Sequence, residues 1–186
     1  MQTVKLGKTG IETNKNAFGA LPIQRISDDE AVKLLRKAYE NGMTFFDTAR
    51  AYSDSEHKVG LAFEGMRKKV IIATKTGAQN AEGFWKDLET SLTNLKTDYI
   101  DIYQFHNPAF CPKPGDESGL YDAPYRRRNR GKSDISASRT IDSRWHMKPL
   151  TAGFTRRCSS RLAIWLRIKI SNWWRSARRR TWALSP

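Results

Sequence analysis

The sequence predicts an α/β fold, part of a (β/α)8 TIM barrel, over residues 1–123 of its 186. In these residues, short apolar runs typical of buried strands alternate with segments whose apolar residues recur at helical spacing. This order is typical of parallel sheets. Ionisable residues stand directly after several of the apolar runs, where barrels carry their catalytic groups. Residues 124–186 follow neither pattern, and we expect them to form a non-native basic tail that does not complete the barrel.

The chain opens with a predicted hairpin, followed by the first parallel strand. The hairpin spans residues 4–16 around a Lys-Thr-Gly turn, and the strand is the apolar run AFGALP at 17–22. Right-handed crossovers leave two architectures, a doubly wound sheet and a barrel. A doubly wound dinucleotide-binding sheet would place G-x-G-x-x-G after this strand. Because that motif is absent, the barrel is favoured.

Capping residues predict two helices after the first strand. Ser27 and Glu30 form a capping box for the first helix, and Gly42 stands where a C-cap glycine belongs. Ser53 and Glu56 form the corresponding box for the second helix. Apolar residues recur at helical spacing after each box. In the first helix they are Ala31, Leu34, Leu35 and Ala38, and in the second they are Val59, Ala62, Phe63 and Met66.

The remaining strands and a third helix follow in the same alternating order. Apolar runs at 43–46, 70–73 and 99–105 predict strands two to four. The third helix begins at about Ala81, and its apolar residues in phase are Phe84, Leu88, Leu92 and Leu95. The prediction is therefore a hairpin and four parallel strands alternating with helices.

Four ionisable residues stand just after these strands. Asp47 follows the second strand, with Tyr52 five residues later, while Lys75 follows the third strand and His106 the fourth. Alone, each is more often a turn or cap residue, a solvated lysine or a structural histidine. Since the carboxyl ends of parallel strands meet at one edge, their common placement predicts one site.

Several segments carry a family resemblance. FFDTARAYSDSEHKVGLAF at 45–63, IIATKTG at 71–77 and YIDIYQFHNP at 99–108 resemble the aldo-keto reductases, as does the opening LGKTGIETNKNAFGALP at 6–22. The resemblance covers residues 1 to about 123. It implies a (β/α)8 barrel, NADP(H) as the cofactor and the reduction of aldehydes or ketones to alcohols.

By motif position, Asp47, Tyr52, Lys75 and His106 match the family's catalytic tetrad. Tyr52 would supply the proton, and the ammonium of Lys75 is expected to lower the phenol's pKa from its ordinary value of about 10. Asp47 would pair with Lys75, and His106 would donate a hydrogen bond to the substrate carbonyl. The resemblance also implies that Asp47 and Gly19 adjoin the cofactor, Gly19 by allowing its close approach. A packing role for Gly19 is the alternative.

The charge distribution breaks at about Ala123. Residues 1–123 contain 16 Lys and Arg and 17 Asp and Glu, whereas residues 124–186 contain 17 Lys and Arg and only two Asp and Glu. The net charge of the whole chain is +14. No glutamate occurs after Glu117, and five of the six tryptophans fall in 124–186. The two parts do not resemble one evolved sequence.

Three interpretations of residues 124–186 differ in what they predict. A basic tail with interleaved tryptophans would bind nucleic acid, or an anionic membrane surface. The third interpretation is a frameshift near Ala123. If each residue is given a permitted codon and the same bases are read starting at the third base of each codon, NRGKSDISASRTID becomes QGKVRHIGITNHR. In the same way SNWWRSARRRTWALSP becomes ELVEKRKKADMGFIA. Both new strings are similar to later segments of the same family. The frameshift is favoured, so the truncated chain is expected to be weakly active or inactive.

Other features bound the compartment and the partners. The start MQTVKLGKTG has no apolar stretch typical of a secretory signal, and no window approaches 18 apolar residues. Two cysteines, Cys111 and Cys158, cannot form a disulfide framework or a four-ligand zinc site. We therefore expect a cytoplasmic protein with no metal, a small carbonyl substrate, and neither a specific nucleic acid nor a membrane as partner. The oligomeric state stays open.

Overall fold

The computed structural model describes residues 2–6, 10–108, 110 and 112–123, together with the backbone of 168–169. The elements in chain order are β1 (Thr3–Lys5), β2 (Glu12–Asn14), β3 (Phe18–Gly19), α1 (Asp28–Glu40), β4 (Phe45–Asp47), α2 (Ser55–Phe63), β5 (Ile71–Thr76), α3 (Ala81–Asn94), β6 (Tyr99–Ile100), β7 (Ile102–Phe105) and β8 (Ile168–Lys169). Short 3-10 turns occupy Pro22–Arg25 and Arg67–Lys69. Among the described residues, no helix is both long and apolar enough to span a membrane.

The predicted hairpin and the four-stranded parallel sheet are both present. In the hairpin, β1 and β2 run antiparallel with Val4 opposite Thr13, and Gly10 takes a φ of +68° that suits glycine in the turn. The parallel sheet has the order β3-β4-β5-β7. The Asn14 side chain donates to the Gly42 carbonyl, so the hairpin is joined to the amino end of the sheet.

The fourth predicted strand, 99–105, is divided at Asp101. Only its second half, β7, pairs with β5, while β6 pairs antiparallel with β8 at 168–169. That antiparallel pair does not extend the parallel sheet. The other residues of the tail, and with them the prediction that 124–186 do not complete the barrel, lie outside the described residues.

Helix α1 begins and ends at its predicted signals, and α3 begins at Ala81 as predicted. At the start of α1 the Glu30 amide donates to the Ser27 hydroxyl and the Ser27 amide donates to the Glu30 carboxylate, which completes the capping box. Gly42 follows α1 with a φ of +89°. Leu34, predicted to face the core, is 44% exposed, because the face that packs on the sheet carries Ala31 and Leu35 instead.

Helix α2 does not begin with the predicted capping box. Its N-cap is Asp54, whose side chain accepts no hydrogen bond from the amides of the first turn, and Ser53 lies outside the helix with a φ of +38°. The Ser53 hydroxyl donates to the Gln24 side chain. Glu56 is fully buried instead of turning back to the helix start. The spacing of a capping box was present here, but the carboxylate is used inside the protein.

The core lies between the sheet and the helices, and it is rich in aromatic side chains. Phe46 of β4 contacts Phe63 of α2 with ring centroids 4.4 Å apart, and Phe84 of α3 contacts Tyr103 of β7 at 5.3 Å. Gly60 sits where α2 meets the end of α3, and a Cβ at this position would lie 2.2 Å from the Asn94 carbonyl oxygen. Glycine is therefore required for the two helices to approach this closely.

A buried ion pair joins the amino ends of the strands. Arg67 Nη2 donates to Asp101 Oδ2 at 2.6 Å, and the side chains are 12% and 10% exposed. The same carboxylate oxygen accepts from the Ile72 amide at 3.0 Å. The Arg67 guanidinium also lies 4.0 Å from the centroid of the Tyr99 ring. The fourth predicted strand is therefore interrupted at the residue whose carboxylate pairs with Arg67.

This pair yields a stability prediction. Asp101→Asn removes the carboxylate and leaves the Arg67 charge buried without its partner, so the free energy of unfolding should fall by about 3 kcal/mol. Glu12→Gln, which breaks the exposed Lys5–Glu12 pair, should change it by less than about 1 kcal/mol. Urea unfolding of the two variants measures both values. Equal, small losses would show that the buried pair contributes no more than a surface one.

Candidate active site

The candidate site lies at the carboxyl edge of the parallel sheet. There the Lys75 ammonium at the end of β5 donates to Asp47 Oδ2 on β4 at 2.6 Å and to the Thr48 carbonyl at 2.8 Å. The Lys75 side chain is 16% exposed and that of Asp47 is 33% exposed. The lysine is thus fixed by two oxygens, and the aspartate remains open to solvent on one side.

Tyr52 and His106 complete the group. Their rings meet edge to face, with centroids 5.5 Å apart and an interplanar angle of 87°. The Lys75 ammonium lies 5.4 Å from the centroid of the Tyr52 ring. The structure therefore brings together all four residues that the sequence placed after three different strands. Their catalytic roles stay a prediction.

The Tyr52 phenol is less acidic than expected from its lysine neighbour. Burial of the ring raises the pKa of Tyr52, and the Asp47 carboxylate raises it further. The Lys75 ammonium does not reverse this shift, since burial and the Asp47 carboxylate outweigh it. In this state Tyr52 holds its proton at neutral pH.

The pKa of His106 is shifted in the opposite direction, below its ordinary value. Burial lowers the pKa of His106, and the Lys75 ammonium lowers it as well, while the Asp47 carboxylate acts against them. Since the ordinary value is about 6.5, the imidazole is neutral at pH 7. One ring nitrogen of a neutral imidazole carries a proton and can donate it in a hydrogen bond.

Backbone and hydroxyl contacts hold the loop that carries Tyr52. The Thr48 amide donates to the Ala73 carbonyl at 2.8 Å, and the Arg50 amide donates to the Lys75 carbonyl at 2.9 Å. At the far end of the loop, the buried Ser55 hydroxyl donates to the Ala20 carbonyl at 2.9 Å and lies 2.9 Å from the Thr48 hydroxyl. The loop is therefore bound to β5 and to the residue after β3.

Gly19 lies at the end of β3, beside this loop. It is exposed, and a Cβ built on it would meet no atom of the described residues within 4 Å. Its neighbour Ala20 donates its amide to the Asp47 carbonyl at 2.8 Å. The packing alternative for Gly19 therefore has no support in the described part of the chain, where neither a side chain nor the backbone crowds this position.

The sequence analysis missed the groups behind the loop. Arg50 and Thr74 both donate to the buried Glu56 carboxylate, and Ser55 joins Thr48 to Ala20. A weak signal was available, since four of these residues (Thr48, Arg50, Ser55 and Glu56) lie in the segment 47–56. Apart from Asp47 and Tyr52, that segment was interpreted only as a loop with a helix cap.

Comparisons with known proteins place the chain among reductases. The sequence model of the Aldo/keto reductase family matches residues 11–117, more than half of the chain. The chain is 33% identical over 120 residues to L-galactose dehydrogenase of Arabidopsis thaliana, covering 56% of the chain and 38% of that protein. It is 34% identical over 127 residues to aldo-keto reductase YhdN of Bacillus subtilis, covering 58% of the chain and 38% of that protein.

A solved structure agrees with these relatives. The holo form of an aldo-keto reductase from Bacillus halodurans is similar to the structure with a TM-score of 0.56 and 28% identity, covering 59% of this chain and 41% of that one. The chain therefore spans about two-fifths of the length of the relatives it matches.

The pKa directions give a prediction for Asp47→Asn. The substitution removes a carboxylate that raises the pKa of Tyr52 and leaves the Lys75 ammonium uncompensated. The Tyr52 phenol should therefore ionise at a lower pH than in the parent chain. Ultraviolet difference absorbance in an alkaline titration measures this, with Tyr52→Phe identifying the contribution of this phenol. An unchanged or higher midpoint would mean that Asp47 does not control the phenol.

Proposed function

Because the chain belongs to the aldo/keto reductase family, we propose that it derives from an NADP(H)-dependent reductase that converts aldehydes and ketones to alcohols. Residues 1–123 have the α/β fold and the parallel sheet of the family's (β/α)8 barrel. The observation that carries the proposal is the meeting of Lys75, Asp47, Tyr52 and His106 at the carboxyl edge of that sheet. Barrel enzymes place their catalytic groups at this edge.

The residues at this edge fit a nicotinamide cofactor, which the family generally uses. Gly19 leaves open space at the end of β3, and the Asp47 carboxylate is partly exposed close by. These two residues would adjoin the cofactor, which supplies a hydride to the carbonyl carbon when bound. The choice of NADP(H) over NAD(H) rests on the resemblance of the sequence to the family.

The proton is assigned to Tyr52. Its phenol keeps its proton at neutral pH, because its ordinary pKa of about 10 is raised further by burial. The proton is therefore available when a carbonyl group arrives. As negative charge develops on the substrate oxygen, Tyr52 donates its proton to that oxygen, and the nearby Lys75 ammonium stabilises the phenolate that remains.

His106 is assigned to substrate orientation. As a neutral imidazole in contact with the Tyr52 ring, it can donate a hydrogen bond to the same substrate oxygen that receives the proton. Asp47 keeps Lys75 in position through the 2.6 Å contact. Each of the four side chains thus has one task, and the tasks require them to be adjacent.

The same proposal includes a frameshift at about Ala123. It is supported by the abrupt change in charge, by the absence of glutamate after Glu117 and by the family-like strings that the shifted reading restores. The match to the family model ends at residue 117, before this point. The arginine-rich composition of residues 124–186 is then a consequence of the reading frame, without a selected affinity for nucleic acid or an anionic membrane.

The frameshift has a direct test. Resequencing of the locus should reveal one base gained or lost near the codon for Ala123. The chain as written should show little or no NADPH-dependent carbonyl reduction, whereas the gene with its frame restored and completed should produce a soluble reductase. Full activity of the chain as written would contradict the proposal that later barrel segments are needed.

The restored enzyme tests the role of Tyr52. Tyr52→Phe removes only the hydroxyl, so kcat should fall by about 100-fold or more, the contribution typical of a general acid. NADPH binding, followed by quenching of protein fluorescence, should change little. Lys75→Met should reduce kcat comparably because it removes the charge that stabilises the phenolate. A Tyr52→Phe enzyme with near-parental turnover would show that the proton comes from another group.

A further inference from the structure

Glu56 is a fully buried carboxylate behind the candidate site. Its exposed fraction is 0%, and its two oxygens accept hydrogen bonds from three side chains. Arg50 Nη1 donates to Oε2 at 2.6 Å, Thr74 Oγ1 donates to Oε1 at 2.7 Å, and Asn94 Nδ2 lies 3.3 Å from Oε2. A buried carboxylate is costly to desolvate unless it is paired and hydrogen-bonded. The three donors therefore offset the cost of burying this carboxylate.

The donors come from separate elements, and two of them are sequence neighbours of candidate catalytic residues. Arg50 lies in the loop after β4, two residues before Tyr52, whereas Thr74 of β5 directly precedes Lys75. Asn94 is the last residue of α3. Glu56 itself is in the first turn of α2. One carboxylate thus connects the loop that carries the tyrosine with the strand that carries the lysine.

The Arg50 contacts show how this connection reaches Tyr52. Besides its side-chain bond to Glu56, Arg50 donates its amide to the Lys75 carbonyl at 2.9 Å. Arg50 therefore holds the loop to β5 directly through its amide and to Glu56 of α2 through its side chain. The Tyr52 amide then donates to the Ala49 carbonyl at 3.0 Å, which closes the turn that presents the ring.

A simple anchoring role would not require a charge. Apolar residues of similar volume commonly replace buried ion pairs without loss of stability. A carboxylate with one oxygen on the loop arginine and the other on the strand threonine fixes a distance and a direction that apolar packing does not. The two oxygens of Glu56 accept from different elements in this way.

We propose that Glu56 is a positioning residue, which holds Arg50 and Thr74 so that the Tyr52 ring stays against His106 and beside the Lys75 ammonium. The proposal rests on the function proposed above for Tyr52 and Lys75. Glu56 touches no reacting atom; it acts through the loop and the strand. The apparent capping-box glutamate of α2 is then used to set the geometry of the site.

The test is made on the 186-residue chain and does not depend on turnover. With ring-labelled tyrosine and histidine, NMR should show cross-relaxation between the Tyr52 and His106 rings, whose centroids lie 5.5 Å apart. The signal is assigned by its disappearance in His106→Gln. In Glu56→Gln, which keeps the shape but removes the charge, this cross-peak should be lost and the His106 ring resonances should shift.

A matched control separates positioning from loss of stability. Asp101→Asn also removes a buried carboxylate that is bound to an arginine, but at the amino end of the same sheet. It should lower stability while keeping the Tyr52–His106 cross-peak. A second variant, Arg50→Gln, leaves Glu56 bonded to Thr74 and breaks only the connection to the loop, and it too should lose the cross-peak. If Glu56→Gln does not fold, Arg50→Gln alone tests whether Glu56 positions the Tyr52 ring.

Two outcomes would overturn the proposal. One is a cross-peak that persists in folded Glu56→Gln or in Arg50→Gln, and the other is its equal loss in Asp101→Asn. Failure of the proposed function would give a different result from failure of the Glu56 proposal. If the restored enzyme kept its turnover in Tyr52→Phe, the proton assignment would be wrong, while the effect of Glu56 on the ring contact would still be measured.

Discussion

The ion pair between Lys75 and Asp47 is the interaction around which the carboxyl edge of the sheet is organised. It joins neighbouring strands at 2.6 Å, and the Tyr52 ring and His106 lie beside it. The two charges also act on the pKa values of these neighbours. Burial is the first cause of the lowered pKa of His106 and of the raised pKa of Tyr52; the Lys75 ammonium adds to the first shift and the Asp47 carboxylate to the second. One contact therefore joins the two strands and adds to the effect of burial on both neighbours.

A second ion pair, at the amino edge of the sheet, has a structural role. Asp101 is bound to Arg67 and to a backbone amide of β5, and its side chain is 10% exposed. Asp47 is 33% exposed and bound to a single ammonium. The first carboxylate is enclosed by its donors, whereas the second keeps room for another group. This difference follows the general division of barrels, with stability at one face and chemistry at the other.

The sequence predicted the elements whose signals are local and missed the features that depend on long-range pairing. The Ser27 capping box, the hairpin and the apolar face of α3 follow from neighbouring residues, and the structure contains all three. The break at Asp101 could not be predicted, because its partner Arg67 is distant in sequence. Glu56 had the spacing of a cap but a buried environment that only the fold creates. The four candidate catalytic residues were found because strand ends converge whatever the details of packing.

Asp47 acts on the proton donor in two opposed ways, although burial is the larger cause of the raised pKa of Tyr52. Asp47 fixes the position of Lys75, but its negative charge cancels part of the field with which Lys75 would stabilise a phenolate. A neutral acceptor does not have this disadvantage, and the Thr48 carbonyl provides one at 2.8 Å from the same ammonium. Because Thr48 is itself bound to β5 through the Ala73 carbonyl, this contact holds the lysine without reducing its charge. The carbonyl and the loop that presents it therefore give Lys75 a second, uncharged contact, which helps to keep its position while its charge acts on Tyr52.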